Sequence, residues 1–285
     1  MTITRFAPAK VNLFLHVGPP MPDGRHPLDS LVMFAADAGD VVTAVAAADL
    51  SLHIDGAFAG ALGDGDNLVL RAAQLLAAEA GIAPRAALTL QKNLPVASGI
   101  GGGSADAAAA LHALNSLWKL GADTAHLAQM SAQLGADLPA CVYGRTALMH
   151  GTGEATTPVE APALHAVLVN PGVEASTPAV YRTFDAMGLG PDFAPAGTPP
   201  YARDTFHDWL AQQGNDLEAP ARRVAPVIGE VLGLLREHAP GALARMSGSG
   251  ATCFAIVEDA PAASELAAAI AAARPSWWVR ATRLG

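Results

Sequence analysis

Apolar positions along this chain switch between two periods. Val11, Leu13, Leu15 and Val17 alternate with Asn12, Phe14 and His16, the period-two pattern of a strand. Thr2 to Val17 therefore reads as paired strands, with Lys10 and Asn12, two residues apart, on one face. Leu28 to Phe34, Asp40 to Val45 and Leu50 to Ile54 continue in strand character. From Leu68 the period lengthens: Leu68, Ala72, Leu75 and Leu76 form the stripe of a helix running to Ala80. Asp66-Asn67 caps it in front, and Gly81 and Pro84 end it. Ala87 to Gln91 returns to strand.

The stretch from Leu94 to Asp106 breaks both periods. Gly99, Gly101, Gly102 and Gly103 fall within five positions, too much backbone freedom for the interior of a helix or strand. Ala107 to Leu120 follows without Gly or Pro, and Ala107, Leu111, Leu114 and Trp118 recur at helical spacing. The order is a glycine turn and then a helix, with Ser104 expected at the N-cap. Unpaired N–H groups at a helix start, reached past residues lacking Cβ, suit an anion such as phosphate. Neither the Gly-Lys-Ser/Thr phosphate loop nor the full dinucleotide fingerprint is present. The alternative reading of the same residues is a flexible turn before an ordinary helix.

Asp123 opens a further helix, with Leu127, Met130 and Leu134 on one side and Gly135 at its end. Asp137 then sits in a tight turn before an apolar segment. Its ordinary role there is an N-cap; its functional role is a carboxylate held at a rigid cleft edge. Gly144 to Met149 and Ala166 to Asn170 read as strands, and Ser176-Thr177-Pro178 caps a helix containing Tyr181. Gly188 to Pro200 is dense in Gly and Pro and reads as irregular. Asn215-Asp216-Leu217-Glu218 precedes a helix with Ile228, Val231, Leu232 and Leu235 on one face. Leu243 to Met246 and Cys253 to Val257 are strands around a small-residue loop, Ser247 to Thr252. Asp259 and Pro261 start a helix, and Trp277 to Thr282 is a strand. Strands in runs, not strict alternation with helices, predict an α+β class with mixed or antiparallel sheets and helices packed on one face of each.

Composition narrows this picture. At 285 residues the chain is long for a single core, so two lobes are expected. Hydrophobic residues make up 51% and charged residues 15%, which suits a well-buried globular protein and argues against disorder. The net charge of −9 and the lack of a basic run argue against nucleic-acid or acidic-membrane partners. Cys141 and Cys253 lie far apart without metal-ligand spacing and read as buried thiols in a reducing compartment. No secretory pattern opens the chain and no apolar run reaches the ~18 residues of a membrane span, so a soluble, cytoplasmic protein is expected.

Phosphoryl transfer needs a cradle for phosphates, a cation against developing charge and a carboxylate for the attacking hydroxyl. Residues 99–104, Lys10 and Asp137 are candidates for these parts. Pro95 followed by Gly99-Ile100-Gly101-Gly102-Gly103-Ser104 resembles the signature loop of the GHMP kinases. Six further segments resemble the branch of that family acting on a cytidine diphosphate-linked methylerythritol. They are Ala7 to Leu13, Asp23 to His26, Asp66 to Leu68, Gly135 to Pro139, Asn215 to Glu218 and Met246 to Thr252.

The resemblance implies a two-lobed fold, an active site in the cleft between the lobes, ATP with Mg²⁺, and domains at 1–157 and 158–285. It implies Asp137 as catalytic base with Lys10 beside it and the hydroxyl. The triphosphate falls to Pro95, Gly99, Gly101, Gly102, Gly103 and Ser104, whose hydroxyl reaches a phosphate or Mg²⁺, and the adenine side to Asn67. Asn12, Arg25, His26, Thr177 and Tyr181 fall on the substrate side, with His26 and Tyr181 near the cytosine. Arg25 stands where the family usually has Tyr, and its guanidinium can stack on a base or reach a phosphate. Asp106 suits the helix dipole but repels a triphosphate, a conflict that contact with Mg²⁺ or a lysine would resolve. A small-molecule substrate and a monomer or weak homodimer are expected. Two other readings stay open: another small-molecule kinase of the family, of homoserine or mevalonate type, and a non-catalytic nucleotide or sugar binder on the same scaffold.

Overall fold

Two long strands open the chain. In the computed structural model, which describes residues 1–62 and 67–285, β1 is Thr2–Val17 and β2 is Leu28–Val45, and the two pair. Each is one continuous strand where the sequence pattern predicts two pieces. Gly39 shows why β2 runs on: a Cβ there would come 2.4 Å from the Phe6 ring and 2.5 Å from the Ala7 carbonyl, so the small residue marks a close approach, not a break.

The chain forms two compact units, and they interleave in sequence. Unit 1 holds Met1–Ala9, Gly39–Val96 and Gly101–Gly144; unit 2 holds Lys10–Ala38, Ala97–Ile100 and Arg145–Gly285. This division differs from consecutive domains cut at residue 157, because β1 and β2 each give one segment to either unit.

In unit 1, β3 (Ser51–Asp55) runs parallel to β4 (Ala87–Gln91), and β4 pairs antiparallel with residues 41–45 of β2. Helices α1 (Leu68–Glu79), α2 (Gly102–Trp118), α3 (Thr124–Ser131) and α4 (Leu138–Tyr143) belong to this unit, with α1 and α4 against α2 and α3 against α4. The Asn67 side chain caps α1 by accepting from Val69 N at 2.8 Å, as the sequence predicts; Asp66 lies outside the described residues. Asp123 caps α3 in the same way, accepting from His126 N.

Unit 2 contains β5 (Ala147–His150), β6 (Ala155–Pro158), β7 (Leu164–Asn170), α5 (Thr177–Ala186), α6 (Arg203–Ala211), α7 (Glu218–Val224), α8 (Val227–His238), β8 (Leu243–Met246), β9 (Cys253–Val257), α9 (Ala260–Ala273) and β10 (Trp278–Leu284). Its sheet runs β10-β7-β9-β8, antiparallel throughout, and β10 also meets β2 through Leu284 and Ala35. Helices α8 and α9 pack on this sheet over Val167, Val169, Ile228, Val231, Leu232, Leu235 and Ile270, all fully buried.

The helix expected after Glu218 is two helices. Pro226 has no N–H to continue the first and holds Ala225 at φ −134°, ψ 85°, so α7 stops and α8 restarts. The sequence pattern also misses α6, whose buried face is only Phe206 and Leu210. The parallel β3–β4 pair beside antiparallel neighbours makes this a mixed α+β fold. Among the described residues no helix is long and apolar enough to cross a membrane.

Candidate active site

The glycine turn joins β4 to α2. Gly101, at φ 63°, is the N-cap of α2, and Gly99 has φ 75°. Ser104 is therefore not the cap; it is the third helical residue, because the left-handed Gly101 lets the helix begin at Gly102. A Cβ at Gly99 would lie 2.5 Å from the Ser247 carbonyl and 2.7 Å from Gly250 N, so only glycine fits. Ser247 Oγ donates to the Gly99 carbonyl at 3.0 Å, and Thr252 N donates to the Ser98 carbonyl at 3.1 Å. The two small-residue loops of unit 2, 97–100 and 247–252, are thus packed together. Asn215 steadies the second by donating to the Met246 and Gly248 carbonyls, both at 2.8 Å.

Lys10 and Asn12 share one face of β1, as the alternation predicts. Lys10 is only 3% exposed, and its Nζ donates to Asn12 Oδ1 at 3.2 Å. Asn12 Nδ2 donates to Ser30 Oγ at 2.8 Å, and its backbone N–H donates to Ser247 Oγ at 3.0 Å. The ammonium is thus buried beside the amide oxygen of Asn12.

His26 and Tyr181 meet within unit 2, and Thr177 lies on the same helix as Tyr181, α5. The rings of His26 and Tyr181 lie 5.0 Å apart at 40°, and Phe184 meets His26 edge-on at 5.7 Å. The Gly18 carbonyl accepts from His26 Nδ1 at 2.9 Å, which fixes the tautomer, and Nε2 faces Asp185 at 3.4 Å. Thr177 Oγ1 pairs with Ser249 Oγ at 2.7 Å, tying the start of α5 to the second small-residue loop. Arg25 is engaged elsewhere: its guanidinium donates to Asp23 at 2.8 Å and to Thr152 Oγ1 at 3.0 Å, with 65% of the side chain exposed.

In unit 1, Asp137 occupies the N-cap position of α4 but makes no cap hydrogen bond through its side chain. Pro139 at the start of that helix removes one of the donors a cap would serve. Asp106, singled out in the sequence as a carboxylate at odds with a triphosphate, finds a lysine. Lys92 Nζ donates to Asp106 Oδ2 at 2.7 Å and to Asp40 Oδ2 at 2.5 Å. Burial drives the Asp106 carboxyl well above the usual carboxylate range, against the pull of Lys92. Burial alone would lower the Lys92 ammonium, but the two carboxylates outweigh it and raise it. Sequence reasoning misses Asp40 and Lys92, since nothing in spacing links residues 52 positions apart.

Two family descriptions match this chain: GHMP kinases N terminal domain over residues 67–145, and GHMP kinases C terminal over 202–275. A relative from Hyphomonas neptunium, 4-diphosphocytidyl-2-C-methyl-D-erythritol kinase, is 51% identical over 100% of this chain and 97% of its own. A relative of the same name from Parvibaculum lavamentivorans is 49% identical over 99% of this chain and 98% of its own. A crystal structure of 4-(cytidine 5'-diphospho)-2C-methyl-D-erythritol kinase matches with a TM-score of 0.80 and 34% identity, covering 99% of both chains. Homoserine kinase from Cytophaga hutchinsonii, with a TM-score of 0.74 and 20% identity over 99% of this chain and 94% of its own, shares the fold. The chain belongs to the GHMP kinases and, among them, to the 4-diphosphocytidyl-2-C-methyl-D-erythritol kinases.

Proposed function

We propose that this chain transfers the γ-phosphoryl group of ATP to the 2-hydroxyl of 4-diphosphocytidyl-2-C-methyl-D-erythritol, a step in making isoprenoid precursors. The full-length relationship to kinases of that name carries the reading. Backbone N–H groups at the start of α2, from Gly101 to Ser104, grip the triphosphate, with Pro95 and Gly99 shaping the turn. Asn67 lies on the adenine side.

Asp137 takes the proton from the 2-hydroxyl, and Lys10 offsets negative charge on the attacking oxygen. The new O–P bond forms as the bond from the γ-phosphorus to the bridging oxygen breaks, and ADP leaves. Asn12 orients the methylerythritol, and the His26 and Tyr181 rings, with Thr177, hold the cytidyl group.

Mg²⁺ fits this arrangement as a partner of the nucleotide. Among the described residues no three His, Cys, Asp or Glu gather into a cage, and Mg²⁺ is commonly held by substrate phosphates, waters and one or two protein oxygens. The Ser104 hydroxyl, in the first turn of α2, is the protein oxygen we assign to it. When bound, the ion offsets charge on the phosphates.

An ADP-release assay comparing the cytidyl alcohol with homoserine and mevalonate tests the assignment. Turnover is expected with the cytidyl alcohol alone. Equal turnover with either of the others, or ADP release with none of them, overturns it.

A further inference from the structure

The Asp40, Lys92 and Asp106 cluster has no part in the chemistry just described, yet it joins the two stems of the glycine turn. Lys92 ends the approach from β4, and Asp106 lies in the first turns of α2 beyond the turn. The second oxygen of Asp40 accepts from the backbone N–H groups of Asn93 at 2.5 Å and Leu94 at 2.8 Å. One buried centre therefore binds the entering stem through Asp40 and the leaving stem through Asp106. It also lies against the first helical residue, since a Cβ on Gly102 would stand 3.1 Å from Lys92 Nζ and 3.8 Å from Asp40 Oδ2. All three residues belong to unit 1 and are at most 2% exposed.

Stability alone is a weak reason for such a cluster. Buried ions are costly to desolvate, and packed apolar residues of similar volume often serve a core as well or better. This one is also incomplete, because Asp106 Oδ1 is buried and accepts no hydrogen bond. The turn it brackets gains more from it. Glycines lose the most freedom on ordering, and fixing both stems removes part of that loss before a ligand arrives. The raised Asp106 carboxyl, beside an ammonium, also limits the negative charge set below a polyanion.

We infer that the Asp40–Lys92–Asp106 cluster is the clasp of the phosphate turn, a set of positioning residues that fixes the spacing of its stems and thereby sets affinity for ATP. The inference rests on the reading that this turn holds the triphosphate.

The test is steady-state kinetics with ATP and the cytidyl alcohol varied separately, plus calorimetric titration with a non-hydrolysable ATP analogue. Asp106→Ala should raise KM for ATP and Kd for the analogue about tenfold, the scale of one lost charge-assisted hydrogen bond. Its kcat should stay within about threefold and KM for the cytidyl alcohol should not change. Asp106→Asn keeps an acceptor for Lys92 and should recover most of the lost affinity. If Asp106→Ala lacks a cooperative thermal transition, Lys92→Arg decides instead, since it keeps charge and donors but changes their reach; the same ATP-specific loss is expected. Unchanged ATP affinity, a loss confined to kcat, or equal rises in both KM values overturns the clasp. Failure of the wild-type enzyme to bind the analogue overturns the phosphate reading itself.

Discussion

Buried polar groups are handled in opposite ways in the two units. Unit 1 buries Asp40, Lys92 and Asp106 together, so each charge depends on the others. Unit 2 scatters its buried charges, Lys10 and Asp29 among them, and surrounds them with neutral pairs: Asn12 with Ser30, Ser247 with the Gly99 carbonyl, and Asn170 with Thr252. Even its buried guanidinium, Arg245, donates to the carbonyls of Leu13, Leu210 and Gln213, and burial lowers it to about 10. A neutral net can lose one member at modest cost; an ionic cluster cannot, because the remaining charges stay buried. The contrast suits the ligands we assign: a polyanion needs rigid, charge-balanced stems, whereas a pyrimidine needs ring faces and directional hydrogen bonds.

The largest effect should separate chemistry from scaffolding within unit 1. Asp137→Ala should lower kcat by ~10²–10⁴, the usual worth of a general base, with ATP affinity kept. That is the reverse of the pattern expected from the clasp variants, and near-normal kcat would remove Asp137 from its role. Next comes the direct comparison of the two polar systems by denaturant unfolding. Lys92→Met leaves two carboxylates unpaired and should cost about 3–5 kcal/mol. Ser247→Ala removes neutral hydrogen bonds and should cost about 1–2 kcal/mol. Equal losses would dissolve the distinction.

Smaller still, Tyr181→Ala should raise KM for the cytidyl alcohol about tenfold, on the scale of a lost aromatic contact, and leave ATP unaffected. Parallel losses for both substrates would refute a base-side role. The smallest effect is a pH dependence in unit 2. His16 is raised above 6.5 by its hydrogen bond to Asp216. A raised histidine contributes stability that is whole below 6.5 and is lost as pH rises through its folded value. For a pair with both side chains partly exposed the change should be ~1 kcal/mol or less. Thermal melts of His16→Gln should lack that decline, and a matching decline would place its source elsewhere.

Local signals read well from the sequence. Ala87 to Gln91 is a strand with the bounds its pattern gives, and Asn67, Asp123 and Asp259 cap the helices they precede. Lys10 beside Asn12 follows from alternation alone. The misreadings have physical causes. Sequence preference places a helix cap at Ser104, because serine is a common choice, but a left-handed glycine three residues earlier takes the role. Leu28 to Phe34 and Asp40 to Val45 read as two strands, but the backbone runs through Gly39 as one. Asp40 and Lys92 stay hidden because only tertiary folding brings them to Asp106. Only the family resemblance groups His26 with Tyr181, since no periodicity links residues so far apart in sequence.

The interleaving of the units has a consequence for biosynthesis. Every residue of unit 1 has left the ribosomal peptidyl-transferase centre once position 144 is made. Unit 2 opens at Lys10 but lacks its β10 strand until position 284, where Leu284 closes register with both Ala35 and Leu164. Within the first half of β2, residues 30–32 can therefore pair with β5 once position 149 is made, while Ala35 meets its β10 partner only when Leu284 is made.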